Sequence, residues 1–236
     1  MDILVVLVHS PLVGSFTWSL TAAQLHMAGI ETLVPVLTDG EAIALPYWRQ
    51  HAESVRQALE AIPAARPLIL VAHSGAGPLL PAIYQAIRQP VSACIFVDAG
   101  LPHAGKSRLD EMEETVPTLA EQFRPYLVAG GSYPEWKDED LREDLPDEQI
   151  RQSLLAELHP RPLAFFTESM PVVEGWSTVP GAYLQLSQAY TPQAKLAEQA
   201  GWPCCRFDAG HFHMLVDPGL VSATLLELID EICQFQ

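Results

Sequence analysis

The sequence predicts an α/β domain: a doubly wound, mostly parallel sheet with a helical insertion between two parts of its core. Three observations predict it. Short runs rich in Val, Ile and Leu recur along the chain, and near-continuous hydrophobicity of this kind marks strands covered on both faces. Helical patterns with short connections separate these runs, which is the rhythm of parallel crossovers. That rhythm stops between Leu101 and Thr178 and then resumes.

The first strand is Ile3 to Val8; it is too short for a signal-peptide core, lacks a basic flank and ends at His9-Ser10-Pro11. A helix follows over Trp18 to Ala28, a strand over Thr32 to Val36 and a helix over Tyr47 to Ile62. Leu68 to Ala72 is the next strand. The helix after it covers Pro78 to Arg88, where Pro78 suits a first turn because its missing N–H would have had no partner. Ala93 to Val97 is the fourth strand. Residues 101–178 form the insertion, with helical pieces around Pro146 to Leu158 and Arg161 to Ser169, no strand, and acidic runs at Asp110 to Glu114 and Lys137 to Asp144 that read as solvated faces. The core resumes with Ala182 to Leu186, a helix over Pro192 to Ala200, a strand over Cys204 to Phe207 and a closing helix over Leu220 to Ile232. Residues 1–100 and 179–236 are thus the core, with the insertion placed over the strand ends.

The 236 residues suffice for one domain with a sizeable core, and the 49% apolar fraction is ordinary for a globular chain. No apolar run approaches the length that spans a bilayer. With 29 acidic against 13 basic residues, the formal charge of −16 argues against nucleic acid or an anionic membrane as partner and favours a neutral small-molecule substrate. Cys94, Cys204, Cys205 and Cys233 show no C-x-x-C spacing, so they read as buried structural thiols; with no export signal they point to a reducing cytoplasm. There is no phosphate-binding glycine loop and no His, Cys or carboxylate cluster with ligand spacing, so no cofactor and no metal are expected.

The chemistry concentrates where the third strand ends. Leu68-Ile-Leu-Val-Ala-His-Ser74-Gly-Ala-Gly-Pro78 runs from an apolar strand through small residues into a helix pattern. A serine presented on so sharp a turn needs small neighbours, and Ala72, Gly75, Ala76 and Gly77 supply them. The string is a relaxed G-x-S-x-G with Ala72 and Ala76 in place of the glycines; a helix-capping serine without chemistry is the plainer alternative. An exposed serine needs a base, and an acid to orient the base. Of the eight histidines, His211 stands best, in Arg206-Phe-Asp-Ala-Gly-His211-Phe-His213-Met-Leu-Val-Asp-Pro218 between the last strand and the last helix, with Gly210 letting the loop bend. His9 and His73 read as residues that hydrogen-bond within the loops flanking Ser74.

Through Val8-His-Ser-Pro-Leu-Val-Gly-Ser-Phe-Thr-Trp18, Ala72-His-Ser-Gly-Ala-Gly77 and Ala209-Gly-His-Phe-His-Met-Leu-Val-Asp-Pro218, the chain resembles the α/β-hydrolase superfamily. The resemblance covers all but the insertion. It implies Ser74 as nucleophile and His211 as base, with His213 the alternative. The family usually carries its acid after the strand that is here Ala182 to Leu186, yet Ser187-Gln-Ala-Tyr-Thr-Pro192 holds no carboxylate. Haloalkane dehalogenases place the acid at the end of the preceding strand, where this chain has Asp98; Asp208 is the alternative, and an aspartate that merely caps the turn is the structural reading of Asp98.

The same resemblance puts the loop after the first strand at the oxyanion site. Gly75 N–H is one expected donor. The second falls at Pro11, which has no N–H, so Leu12 N–H in a register shifted by one residue, or the Ser10 hydroxyl, is expected to replace it. Pro11, Phe16, Trp136, Phe165, Phe166, Met170 and Trp176 are expected to wall the pocket. These readings imply a carboxylesterase-like serine hydrolase of a small uncharged or apolar ester, lactone or thioester, acting through an acyl-enzyme beneath a helical lid. Pro11 motivates a second expectation, a lyase, C–C bond-cleaving enzyme or cyclase using the same Ser and His; a receptor-like homologue with little turnover is a third.

Overall fold

In the computed structural model, residues 3–40 and 46–234 are described; the Cys233 side chain lies outside the described residues. Strand β1 (Leu4–Val8) leads to helix α1 (Phe16–Met27), the short strand β2 (Thr32–Leu33), α2 (Tyr47–Ala58) and β3 (Leu68–His73). A 3₁₀ turn over Ser74–Leu79 runs directly into α3 (Leu80–Ala86), followed by β4 (Val91–Val97). Between β4 and β5 (Gly181–Gln185) lie α4 (Arg108–Thr115), α5 (Pro117–Val128), α6 (Glu148–Ala156) and α7 (Leu163–Thr167). The chain continues through α8 (Thr191–Gln199), β6 (Cys204–Arg206), α9 (His213–Val216) and α10 (Pro218–Gln234).

All six strands are parallel, in the order β2-β1-β3-β4-β5-β6. The chain steps from β1 to β2 on one side and then crosses back to β3 on the other, so the carboxyl ends of β1 and β3 flank a topological switch point, where open α/β sheets place their ligands. Ser10 and Pro11 follow β1; Ser74 follows β3. β1, β3 and the end of β4 are fully buried, as their unbroken apolar runs require. Trp18 of α1 together with Val221 and Leu225 of α10 packs one face; Val55 of α2, Leu80 and Ile83 of α3 and Ala194 of α8 pack the other. Among the described residues no helix is long and apolar enough to cross a membrane.

Three differences from the sequence reading have physical causes. The second strand pairs only at Thr32 and Leu33, because Pro35 cannot donate to the ladder. The stretch after Ser74 is 3₁₀ before it becomes α-helical, a tight first turn forced by the strand-to-helix reversal. The insertion contains α4 and α5, which the sequence reading left out. α4 begins at a capping box: Asp110 N–H donates to Ser107 Oγ (3.1 Å) and Ser107 N–H to Asp110 Oδ2 (2.8 Å). The acidic run that starts there is also not wholly a solvated face, since Glu111 is buried and burial raises its pKa. Leu109, Leu127, Phe165 and Phe166 give the insertion a small apolar core of its own.

Candidate active site

Ser74 sits where β3 ends, with φ at +55°, a left-handed conformation costing roughly 1–3 kcal/mol for a residue with a side chain. Its neighbours hold it there. Gly100 N–H donates to the Ser74 carbonyl (3.2 Å), and a Cβ at Gly77 would lie 1.9 Å from the Gly100 carbonyl oxygen, so elbow and post-β4 chain approach as only glycine permits. A Cβ at Gly75 would come within 3.0 Å of Ser10 Oγ, with Pro11 Cδ at 3.7 Å, which sets the loop after β1 against the same turn. Because a backbone carbonyl cannot swing away as a side chain can, Gly77→Ala is expected to cost about 3 kcal/mol, a Tm loss on the order of 10 °C in a thermal melt.

Asp98 ends β4 in a second left-handed residue, φ +43°, and is wholly buried. A buried carboxylate must be compensated, and four donors do so. Oδ1 accepts the N–H groups of Leu186 and Ser187 (2.9 Å each); Oδ2 accepts the Ser187 hydroxyl (2.6 Å) and His211 Nδ1–H (2.7 Å). Tyr183 pins the turn, donating its hydroxyl to the Ala99 carbonyl (2.7 Å) and accepting Ala99 N–H (3.1 Å). With Nδ1–H committed to Asp98, His211 presents Nε2 as its proton-accepting atom.

The His211 ring is packed on two sides. His73 lies at 4.5 Å and Tyr190 is stacked parallel at 5.2 Å and 5°. His73 Nε2–H donates to the His211 carbonyl (3.1 Å); burial, then the nearby His211, push the His73 pKa well below 6.5 and keep it neutral. Ser74 Oγ is 3.2 Å from the Tyr190 hydroxyl. Among the described residues no hydrogen bond joins Ser74 to His211; the tyrosine holds the serine instead. Asp208 and His213 lie elsewhere: Asp208 is exposed and accepts Gln188 Nε2–H at 3.2 Å, and the His213 ring packs on Phe207.

In the loop after β1, Leu12 N–H donates to Ser10 Oγ (3.3 Å), so it is not a free donor as expected. His9 is buried and neutral, its pKa lowered to about 4 by burial above all; Nδ1–H donates to the Ser10 carbonyl (2.9 Å) and Nε2 accepts Leu37 N–H (3.2 Å). Arg161 grips the Pro11 carbonyl with Nε and Nη2 (3.0 and 2.9 Å) while Nη1 meets Asp39 at 2.6 Å, and Asp39 meets His51 Nε2 at 2.8 Å. Burial works to raise the Asp39 pKa, but hydrogen bonds from His51 and Arg161 outweigh it and hold it at about 2. His159 N–H on the Leu12 carbonyl (3.0 Å) and Glu157 on Phe16 N–H (2.8 Å) complete the clasp of the insertion on this loop.

The expected pocket residues divide. Phe16, the first residue of α1, packs on the core, and Trp136 reaches Phe212, the neighbour of His211, at 5.7 Å. Met170 packs in the large cluster on the sheet face that also contains Ala76 of the elbow turn and Ala99. Phe165 and Phe166 are buried in the insertion core, with Arg108 and Arg161 over the Phe165 ring. Trp176 requires correction: it packs on Tyr84, which lines a hollow of about 710 Å³ with Val91, Ser92 and Pro180 at the amino ends of the strands. Parallel strands place Ser74 and Asp98 at the other end. Ser187, Tyr190, Arg161 and Asp39 were not read from the sequence; only Ser187 had a signal, its place where the family carries an acid.

A family model described as "Alpha/beta hydrolase family" matches residues 5–224. Among solved structures, an extracellular alpha/beta-hydrolase from a Paenibacillus species, described as sharing structural and functional homology with tobacco salicylic acid binding protein 2, is 17% identical, with TM-score 0.76 over 96% of this chain and 98% of its own. Polyneuridine aldehyde esterase is 18% identical, TM-score 0.74, over 97% and 99%. Tomato methylketone synthase I bound to 2-tridecanone is 15% identical, TM-score 0.73, over 98% and 99%. No curated protein matches this chain by sequence.

Proposed function

Since this chain belongs to the alpha/beta hydrolase family, we propose that it is a serine hydrolase of a small uncharged or apolar ester, lactone or thioester, with Ser74 as nucleophile, His211 as base and Asp98 as the orienting acid. The observation that carries this reading is the 2.7 Å hydrogen bond from His211 Nδ1 to a buried, four-fold satisfied Asp98, set beside a serine held at φ +55°. The esterases among its structural neighbours support the same class. Attack by Ser74 Oγ passes its proton to His211 Nε2, and Asp98 stabilises the imidazolium that forms. The Gly75 N–H, next after the nucleophile, takes up part of the oxyanion charge. The insertion serves as a lid, with Trp136 and Met170 contributing to its apolar wall. No cofactor takes part, and the partner is a small molecule, not nucleic acid or membrane. The thiols of Cys94, Cys204 and Cys205, free among the described residues, suit a reducing cytoplasm.

A fluorophosphonate probe should label the wild-type protein and not Ser74→Ala; equal labelling of both would remove the nucleophile. One observation favours a second reading, a carbon–carbon or elimination reaction without an acyl-enzyme. Neither Pro11 nor Leu12 offers a free N–H to an acyl oxyanion, and one structural neighbour is a methylketone synthase. Turnover of a carbonyl substrate with no covalent adduct would favour it.

A further inference from the structure

We propose that the Tyr190 hydroxyl is the second hydrogen-bond donor to the oxygen that becomes negative during the reaction, in place of the N–H that Pro11 lacks. This inference rests on the serine-hydrolase reading. The phenol oxygen already lies 3.2 Å from Ser74 Oγ, and its ring is held parallel to that of His211 at 5.2 Å. A donor that touches the nucleophilic oxygen also borders the other oxygens of the tetrahedral centre built on it.

The loop after β5 is shaped for this. Ser187 binds Asp98 through its N–H and hydroxyl, the turn Gln188–Tyr190 follows, and Thr191 Oγ1 ties the turn by donating to the Gln188 carbonyl (2.8 Å) while accepting Gln185 Nε2–H (2.9 Å). One loop thus orients the acid and delivers the phenol. Burial, with Asp98, Tyr133 and Glu111 acting in the same direction, raises the Tyr190 pKa against the smaller opposing effect of Ser74, so the phenol stays protonated.

In the acylation step, Ser74 Oγ bonds to the carbonyl carbon, its proton goes to His211 Nε2, and the C=O π pair moves onto oxygen. Tyr190 keeps its proton throughout and donates a hydrogen bond to that oxygen. When the pair returns, the leaving group departs with the proton from His211.

The test is Tyr190→Phe, which keeps the stacked ring and removes only the hydroxyl. On p-nitrophenyl acetate, kcat/KM should fall about a hundred- to a thousandfold with KM nearly unchanged. The inhibition constant of an alkyl trifluoromethyl ketone, which adds to serine as an ionised hemiketal, should rise by the same factor. Wild-type kcat/KM in Tyr190→Phe would overturn the proposal, as would a raised KM with unchanged ketone affinity, which marks packing alone. Should that variant not fold, fluorotyrosine at 190 replaces it. A phenolate cannot donate, so tetrafluorotyrosine, whose phenol ionises several pH units lower, should bring an alkaline fall of kcat/KM into the accessible range, and an unmoved profile would overturn the proposal. Retained activity in Ser74→Ala would instead sink the hydrolase reading itself, so the two failures are distinguishable.

Discussion

Asp98→Asn is expected to lower kcat on short p-nitrophenyl esters by on the order of 10⁴-fold while the protein stays folded. The side chains are nearly isosteric, and the amide oxygen can still accept the N–H groups of Leu186 and Ser187, now bonded to Oδ1. The amide nitrogen then takes the place of Oδ2, facing the Ser187 hydroxyl and His211 Nδ1. The hydroxyl can rotate from donor to acceptor. The imidazole cannot do so without changing tautomer: to accept at Nδ1 it must carry its proton on Nε2, the atom that has to take the proton of Ser74. A melt close to that of wild type with turnover almost lost is the expected pair of results. Near-wild-type turnover would remove Asp98 from the mechanism and return it to the role of a turn aspartate.

That Asp98 could be singled out at all shows what the sequence carries. The unbroken apolar runs of β1, β3 and β4 reflect strands buried on both faces, so a parallel, doubly wound sheet could be read from pattern, whereas the strand order and the switch point between β1 and β3 came only with the structure. The elbow was legible for a related reason: Gly77 is small because the Gly100 carbonyl leaves no room for a Cβ, and such a demand is local in sequence. Tyr190 was not legible. Nothing in Gln188-Ala-Tyr-Thr-Pro192 signals chemistry, and the Tyr190 hydroxyl reaches Ser74 across 116 positions of chain. Arg161 was hidden similarly, since its partners Pro11 and Asp39 lie 150 and 122 positions away. In the insertion the failure was local. Ser107 and Asp110 spelled a capping box for α4, but the acids that follow drew attention to solvent instead of to helix start. Trp176 was misplaced because an aromatic in an insertion carries no mark of which end of the sheet it covers.

Mild acid should cost this protein much of its stability well before most of its carboxylates titrate. His9, His51 and His73 are all buried and all have pKa values lowered by burial. A histidine with a depressed folded pKa stays neutral in the native state while the unfolded chain takes up its proton below about 6.5, so stability falls as pH falls through that window. For His9, lowered to about 4, the loss between pH 7.5 and pH 5 is about 2 kcal/mol, and His51 and His73 act in the same direction. Two carboxyls oppose them. Glu111 and Glu168 have raised pKa values because they are buried, so protonating them favours the native state. Their rise is held back, though, by Arg108 beside both, by His103 beside Glu111, and by the Tyr47 and Trp48 N–H groups on Glu168. Asp39, held at about 2, gives up its contribution only below pH 4. Urea midpoints should therefore drop markedly from pH 7.5 to pH 5. His9→Asn should be less stable than wild type at pH 7.5 yet show a shallower dependence, because it removes one of the titrations. Equal wild-type midpoints at the two pH values would count against neutral imidazoles in the folded chain, and for His9 that would conflict with Nε2 accepting Leu37 N–H.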